Sequence, residues 1–187
     1  MKPFLILALF LKLSTALAAH DNSVYYCLPY FQNNTHVLTQ GENGKTHKNE
    51  HQYSFDFEMP IGTPVHAARG GKVVFVVEKF TAKGQTTEFI SRGNYVILQH
   101  QDGTYAIYAH LEKAGGAVKV GEKVRAGQLI AYSGNTGFTK APHLHFEVFS
   151  LTNKKHASIP IAFITKDSPA AKLEAMKSYT SAASCNN

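Results

Sequence analysis

The chain of 187 residues lacks the features that would place it across a membrane or on a nucleic acid. Beyond the N-terminus, no segment approaches the roughly 20 apolar residues that a helix needs to cross a bilayer. No basic stripe with interleaved aromatic residues is present, so nucleic-acid binding has little support. Internal repeats and low-complexity segments are also absent. These absences favour an ordinary globular domain that neither spans a membrane nor binds nucleic acid.

The N-terminus has the order of parts of a secretory signal peptide. Lys2 precedes an apolar run over Phe4–Leu11, and Ala16-Leu17-Ala18 supplies small residues ahead of Ala19. An apolar run this short cannot span a bilayer, whereas export explains the charge, the apolar run and the Ala-x-Ala site together. We therefore predict a signal peptide over residues 1–19 and an exported protein, in the periplasm or in the extracellular cell wall.

Cysteine is scarce, and Cys27 and Cys185 are the two in the chain. An even count in an exported chain is compatible with a disulfide between the two ends. It is equally compatible with two free thiols, because a sequence does not supply the geometry. Lys and Arg exceed Asp and Glu by 19 to 13, or by 17 to 13 once Lys2 and Lys12 are removed with the signal peptide. This modest excess suits an anionic envelope but is also ordinary for a soluble surface.

Short β-type runs separated by Gly, Pro and polar turns dominate the chain from Tyr53 onward, which predicts a mainly β, antiparallel domain. Asp102-Gly103 lies between two runs and is typical of a tight hairpin turn. Residues 81–93 are expected to form a long loop at the rim of the sheet. The candidate strands are Tyr53–Phe57, Lys72–Glu78, Asn94–His100, Tyr105–Leu111, Gln128–Ser133 and His143–Phe149.

Helical signal is confined to the C-terminal end. Ser168, then Pro169, then the run 170–177 predict a short capped helix. Residues 20–40 are expected to form an irregular arm that packs on the sheet. After cleavage about 168 residues remain, enough for one domain that removes about 70% of its unfolded surface from water. The predicted division is a signal peptide over 1–19, an arm over 20–40, a β domain over 41–165, and a helix and tail over 166–187.

Two histidines and a carboxylate are placed where they can meet. His143 and His145 lie two apart in a strand-like run, so both imidazoles project from one face while Leu144 turns into the core. In Tyr53–Phe57 the aromatic residues form the buried face and Asp56 points the other way. Two histidines and one carboxylate can hold Zn²⁺ and leave a fourth position open, as in catalytic zinc sites. Such a zinc acidifies water and polarises a carbonyl, which suits amide hydrolysis.

His110 ends a hairpin strand and is a third candidate for the site. Amide hydrolysis also needs a proton acceptor and a donor to the developing oxyanion, and a histidine that does not bind the metal can fill either role. His100 is expected to pack or form hydrogen bonds near the site without binding metal. On the simplest interpretation, four other histidines are surface residues: His20, His36, His66 and His156. The residues alone do not decide which of His143 and His145 binds the metal.

Eight ordered motifs over about residues 40–148 resemble those of the LytM/lysostaphin-type zinc metallopeptidases. They are Asp56-Phe57-x-x-Pro60-x-Gly62-Thr63-Pro64-Val65, Ala67-Ala68-x-x-Gly71-x-Val73, Asn94-Tyr95-Val96-x-Leu98-x-His100, Asp102-Gly103-Thr104, Tyr108-Ala109-His110-Leu111, Val120-Gly121-x-x-Val124-x-x-Gly127-Gln128, Gly134-Asn135-Thr136-Gly137 and Pro142-His143-Leu144-His145-Phe146.

The resemblance implies a fold, a metal and a substrate. The fold is the antiparallel LytM-type (duplicated hybrid motif) peptidase domain. One Zn²⁺ per chain would be held by a histidine near the start of the domain, by Asp56 and by His145. His110 and His143 would be the catalytic histidines that activate the water and stabilise the tetrahedral intermediate. The substrate implied is the peptide crosslink of bacterial peptidoglycan, and we expect the enzyme to be a monomer.

The first zinc ligand departs from the compact pattern of the family, in which a histidine precedes the aspartate by four residues, because Gln52 occupies that position. His47 and His51 are the alternatives. Both have an odd offset from Asp56, so neither faces the metal along an unbroken strand. His51 would need a local bulge, whereas Lys48-Asn49-Glu50 leaves His47 free to loop back over the sheet. Since the residues around His47 also resemble a longer-spaced branch of the family, we predict His47.

Two other functions fit parts of the sequence. The family includes inactive members that bind and activate another wall hydrolase, but these typically lack zinc ligands, and the ligand positions are filled here. Bound zinc in the purified protein would separate the two possibilities. A carrier module is the other alternative, since residues 118–133 resemble the hammerhead of biotinyl and lipoyl domains. The turn Gly121-Glu122-Lys123 lacks the flanking methionines expected for biotin, and a signal peptide is out of place in such a carrier.

Overall fold

A computed structural model describes residues 24–185, so the predicted signal peptide lies outside the described residues. The strands in chain order are β1 (Tyr25–Cys27), β2 (Thr35–Gln40), β3 (Ser54–Glu58), β4 (Pro64–His66), β5 (Gly71–Val77), β6 (Lys83–Gly84), β7 (Tyr95–Gln99), β8 (Tyr105–Ala109), β9 (Leu111–Gly116), β10 (Lys123–Val124), β11 (Leu129–Ser133), β12 (Gly137–Phe138), β13 (His143–Thr152), β14 (Lys155–Ser158), β15 (Ala162–Ile164) and β16 (Lys177–Thr180). Two 3-10 helices cover Asn49–His51 and Thr87–Arg92. Over residues 24–185, no helix has the length and apolarity to cross a membrane.

A large antiparallel sheet organises the molecule. Its strand order is β10-β5-β7-β8-β13-β3-β2-β16, and β14 forms a hairpin with β13. Three smaller sheets lie beside it, in the orders β4-β11-β9, β1-β15 and β12-β6. The mainly β, antiparallel fold predicted from the alternating sequence is confirmed.

The core is built from alternate residues of the central strands. Successive side chains on a strand point to opposite faces, so one face can be apolar throughout while the other carries polar groups. The residues of β3, β7, β8 and β13 that are fully or almost fully buried on the core side are Phe55, Phe57, Val96, Leu98, Ala106, Tyr108, Leu144, Phe146 and Val148. Their neighbours Asp56 and His145 therefore lie on the other face of the sheet.

Each of the six candidate strands is present, with ends that differ from the prediction by no more than three residues. The predicted turn at Asp102-Gly103 is formed by Gly103 with φ +84° and by the Asp102 carboxylate, which accepts a hydrogen bond from the Thr104 amide at 3.0 Å. Residues 81–93, predicted as one long loop, also contain β6 and the second 3-10 helix. Local pattern therefore located these six strands.

The two ends of the described chain differ from the sequence-based expectation. In place of an irregular arm, β1 pairs with β15, and β2 lies between β3 and β16 in the main sheet. No helix forms between Ser168 and Cys185, where the described part of the chain ends. Instead Ala171 exchanges backbone hydrogen bonds of 2.7 and 2.8 Å with Phe163, and the chain continues into β16. A helix of fewer than ten residues is marginal by itself, so backbone pairing with the sheet outcompetes it.

The structure also resolves the alternatives for the cysteines. Cys27, at the end of β1, forms a disulfide with Cys185, across a sequence separation of 158 residues and a Cα–Cα distance of 5.9 Å. The two ends of the described chain are thereby joined covalently.

Candidate active site

The pairing of β3, β13 and β8 places three predicted site residues next to one another: Asp56, His145 and His110. β3 and β13 pair so that Asp56 lies directly opposite His145. On the other side of β13, Ala109 of β8 is opposite His145, so His110 follows at the same edge of the site. His143 lies two residues before His145 on the same face of β13. Alternation on β13 and register with its two neighbours are therefore sufficient to assemble this part of the site.

His47 reaches the site from the segment between β2 and β3. Its side chain is 3% exposed, and its Nε2 lies 3.2 Å from Asp56 Oδ2. Its Nδ1 donates to the carbonyl of Gly41 at 2.9 Å. Because a carbonyl only accepts, Nδ1 carries a proton, so a neutral His47 ring has its lone pair on Nε2. That Nε2 has no partner with hydrogen-bond geometry among the described residues, despite its short distance to the carboxylate.

Asp56 is the centre of this polar cluster. Its Oδ1 accepts a hydrogen bond from His145 Nδ1 at 2.9 Å, and its Oδ2 accepts one from Gln40 Nε2 at 2.9 Å. His143 Nε2 lies 3.7 Å from Oδ1. Burial raises the pKa of Asp56, but the hydrogen bond from His145 and the charges of the neighbouring imidazoles outweigh it and hold the pKa well below the usual value. The carboxylate is therefore ionised at neutral pH.

The donor atoms of His47, Asp56 and His145 fit a metal ion. One ligand atom from each residue lies within 4.8 Å of the other two. A lone pair on His47 Nε2 that faces a carboxylate oxygen is repelled by it, and a cation between them would turn this repulsion into two favourable contacts. Two imidazoles and one carboxylate match the ligand set of an open zinc site. His51, the alternative first ligand, instead lies 2.8 Å from Glu147 Oε2.

His110 and His143 share a different arrangement. His110 Nδ1 donates to the carbonyl of Thr136 at 2.8 Å, and His143 Nδ1 donates to the carbonyl of Ala141 at 2.8 Å. Their ring centroids are 4.6 Å apart, and the ring of His110 is 5.9 Å from that of His145. With Nδ1 protonated in both rings, Nε2 is the proton-accepting atom of each neutral imidazole.

His110 has two further properties of a functional residue. Its φ is +63°, a left-handed conformation that is uncommon outside glycine and that clusters at active sites. Burial, followed by the neighbouring His143 and His145, lowers its pKa to about 3. The ring is therefore neutral near pH 7 and able to accept a proton.

Sequence reasoning missed the residues that orient this site. Gln40 binds Asp56 from β2, while the carbonyls of Gly41, Thr136 and Ala141 fix three imidazoles. Carbonyl acceptors have no sequence signature, since every residue has one. The Gly134-Asn135-Thr136-Gly137 motif was the available signal for Thr136.

The other histidines divide between core and surface. His100 is buried and donates from Nδ1 to the Gly70 carbonyl at 2.8 Å. His66 is 7% exposed, so its interpretation as a surface residue was wrong. His156 lies against the buried Glu147 rather than free in solvent. His20 falls outside the described residues.

A cleft of about 530 Å³ opens beside the cluster and is lined by both Asp56 and His143. Thr39, Met59 and Lys140 form other parts of its wall. A larger cleft of about 1100 Å³ has a cationic lining of Arg69, Lys72, Lys123 and Arg125. None of the five predicted site residues lines it. The smaller cleft therefore gives a substrate access to the cluster.

An antiparallel sheet that carries a histidine–aspartate–histidine group, with two more histidines beside it, defines a candidate metallohydrolase centre. The chain belongs to Peptidase family M23, whose model matches residues 50–158. M23 is a family of metallopeptidases. The matched residues include Asp56, His110, His143 and His145, while His47 lies just before them.

Relatives support the same family. Over 110 residues the chain is 42% identical to the peptidoglycan DD-endopeptidase ShyA of Vibrio cholerae, covering 57% of this chain and 23% of that protein. Over 127 residues it is 41% identical to lysostaphin of Staphylococcus simulans, covering 66% of this chain and 22% of that protein. The chain thus spans about a quarter of the length of the curated relatives it matches.

Solved structures give the same result. A zinc containing peptidase from Vibrio cholerae superimposes with a TM-score of 0.53 at 27% identity, over 73% of this chain and 39% of that one. The antimicrobial peptidase lysostaphin from Staphylococcus simulans gives a TM-score of 0.51 at 31% identity, over 74% of this chain and 52% of that one.

Proposed function

We propose that this chain is an exported zinc metalloendopeptidase that hydrolyses peptide crosslinks of bacterial peptidoglycan. The observation that carries the proposal is the His47–Asp56–His145 group, in which a buried imidazole nitrogen without a hydrogen-bond partner lies 3.2 Å from an ionised carboxylate. Membership of a metallopeptidase family supports the reaction type. Relatives named as peptidoglycan DD-endopeptidases support the substrate class.

His47, Asp56 and His145 would hold one zinc ion. When bound, zinc supplies Lewis acidity, which lowers the pKa of water towards 7 and polarises an amide carbonyl. The protein prepares for the ion by fixing the His47 tautomer through Gly41 and one carboxylate oxygen through Gln40. Such partners orient metal ligands and increase affinity.

His110 and His143 would move protons at the scissile amide. Each neutral ring can accept a proton from water at Nε2, because its Nδ1–H is already donated to a backbone carbonyl. Once protonated, the same Nε2 can donate to the developing oxyanion or to the leaving amine. The low pKa of His110 keeps it in the accepting form at neutral pH.

An inactive activator of another hydrolase is the remaining alternative of a different class. The residues present at positions 47, 56, 110, 143 and 145 favour an enzyme.

The deciding experiment uses defined peptidoglycan fragments, one with a direct D-Ala crosslink and one with a glycine bridge. The purified protein is stripped with a chelator, and cleavage products are identified by mass before and after zinc is added. We expect cleavage of at least one fragment to disappear with the metal and return with zinc. Cleavage by metal-free protein would contradict the metal mechanism, and an inert zinc-loaded protein would favour the activator.

A further inference from the structure

A second group of two histidines and one carboxylate lies beside the first. On β13, His143, His145 and Glu147 are two residues apart from one another, so their side chains point to the same face of the sheet. Glu147 is opposite Ser54 on β3. This pair lies two residues along the strands from the pair His145 and Asp56. The second cluster, defined as His51, Glu147 and His156, thus repeats the donor types of the candidate zinc centre at the neighbouring position of the same strand pair.

The donor atoms of the second cluster converge on one buried carboxylate. The side chain of Glu147 has no exposed surface. Its Oε2 accepts hydrogen bonds from His51 Nδ1 at 2.8 Å and from Ser54 Oγ at 2.5 Å, and its Oε1 accepts one from His156 Nε2 at 2.5 Å. One ligand atom from each member of the cluster lies within 4.8 Å of the other two.

Three separate elements hold these side chains in place. His156 lies on β14, paired with β13, and its ring stacks on Phe149 at 4.2 Å. His51 ends the 3-10 helix Asn49–His51, with its ring centroid 4.7 Å from that of His156. The two imidazoles are 49% and 29% exposed. An ion from solvent can therefore reach the two imidazoles that contact the carboxylate.

The charge of the second cluster is not balanced by a permanent cation. In the described part of the chain, the ion pairs of Glu147 are with His51 and His156, and neither a lysine nor an arginine is among its partners. A buried carboxylate is costly without a positive charge beside it, and among the described residues the two imidazoles are its only ion-pair partners. A divalent cation would supply that charge and replace the two ring protons.

We propose that His51, Glu147 and His156 form a second zinc site, separate from the one formed by His47, Asp56 and His145. Two imidazoles and a carboxylate are ligands that zinc prefers. Zinc–ligand distances of about 2.0–2.1 Å place tetrahedral donors roughly 3.3 Å apart. The distances from the Glu147 carboxylate to His51 and to His156 therefore have to increase by less than about 1 Å. The half-exposed His51 can make that movement. The bound ion would tie the Asn49–His51 helix to β13 and β14, and so restrain the segment that carries His47.

Metal stoichiometry tests the proposal independently of catalysis. The full chain is stripped with a chelator, dialysed against zinc and then against metal-free buffer, and its metal content is measured by mass spectrometry. We expect about two zinc ions per chain for the unchanged protein, and about one for either Asp56→Ala or His51→Ala. Glu50→Gln is the matched control, because it removes a neighbouring charge without removing a proposed ligand, and it should retain two.

Cobalt provides the second measurement. Added to Asp56→Ala, in which the first centre is disabled, Co²⁺ should give the visible absorption of a tetrahedral N,O site, and the double variant Asp56→Ala/His51→Ala should lose it. Circular dichroism identifies variants that fail to fold, and His156→Gln then replaces His51→Ala. One zinc per chain in the unchanged protein would overturn the proposal. Complete loss of zinc from folded His51→Ala would do so as well, because it would place His51 in the first centre.

Discussion

At the scale of the residue, the hydrogen bonds of Nδ1 separate the candidate site histidines by role. His145 directs Nδ1 at Asp56, whereas His110 and His143 direct Nδ1 at backbone carbonyls. A carbonyl-bound Nδ1–H fixes the tautomer and leaves Nε2 for proton transfer. His47 has the same tautomer, but its Nε2 faces Asp56 Oδ2 at 3.2 Å, as suits a metal ligand.

Replacing His110 or His143 by alanine should lower turnover by roughly 100-fold or more while zinc remains bound, because each removes a proton-transfer group and leaves His47, Asp56 and His145 intact. Turnover on a muropeptide and zinc content are measured on the same preparations. His145→Ala should instead lose the zinc ion held with His47 and Asp56. Loss of zinc from His143→Ala would show that the roles of His143 and His145 are reversed.

Particular site residues show how much of the site could be predicted from the sequence. Alternation along a strand sufficed to place His143, His145 and Asp56 on one accessible face. It could not place His47, because a loop of irregular backbone decides where that side chain goes, and the choice over His51 depended on the freedom of that loop together with family resemblance. Gln40 was not predicted at all, since its contact with Asp56 arises from the pairing of β2 with β3, which no local pattern specifies.

At the scale of the element, the turn Gly134-Asn135-Thr136-Gly137 connects the histidine site to the rest of the sheet. The Thr136 carbonyl holds His110, and the Thr136 hydroxyl donates to the Leu111 carbonyl at 2.7 Å. The backbone passes so close to β9 that a Cβ on Gly134 would lie 2.3 Å from the Glu112 amide nitrogen. The turn can hold His110 in place because glycine permits this approach.

Gly134→Ala should therefore displace the turn and release His110 from Thr136. We expect turnover to fall by roughly tenfold or more with zinc retained, since a small displacement of a catalytic group has a large effect on rate. Gly93→Ala is the matched control: its Cβ would lie 3.8 Å from the same Thr136 carbonyl, an ordinary contact. Equal loss of activity in both variants, or unchanged activity in Gly134→Ala, would contradict this role for the turn.

The strands and the C-terminal segment show why local prediction succeeded in one case and not in the other. Buried and partly exposed residues alternate along the whole of β7 and over the first four residues of β13, so that there the local pattern is also the tertiary outcome. For Ser168 and Pro169, a helix-start signal was present, but Ala171 finds backbone partners on Phe163 and Leu173 becomes buried. Tertiary contacts override weak helical propensity over so short a segment.

At the scale of the whole molecule, the two ends of the described chain support each other. β1 pairs in parallel with β15, and β16 covers the free edge of β2. Tyr30 also donates its hydroxyl to the Tyr179 carbonyl at 2.6 Å. The disulfide between Cys27 and Cys185 adds a covalent link to these contacts. Because β2 carries Gln40, the joined ends also support the proposed zinc centre.

The disulfide should contribute to stability far more than to catalysis. A link across 158 residues removes chain entropy from the unfolded state that corresponds to as much as about 5 kcal/mol, although about 2–4 kcal/mol is typical. At about 2–4 °C per kcal/mol for a domain of this size, the variant Cys27→Ser/Cys185→Ser should melt about 10 °C lower. Cys185 lines the cationic cleft rather than the one beside Asp56, so turnover at 25 °C should stay near the level of the unchanged protein.

Thermal unfolding with and without a reductant provides the control, because only the unchanged protein should respond to it. A melting temperature that reduction leaves unaltered would show that the strand pairing of the two ends suffices by itself.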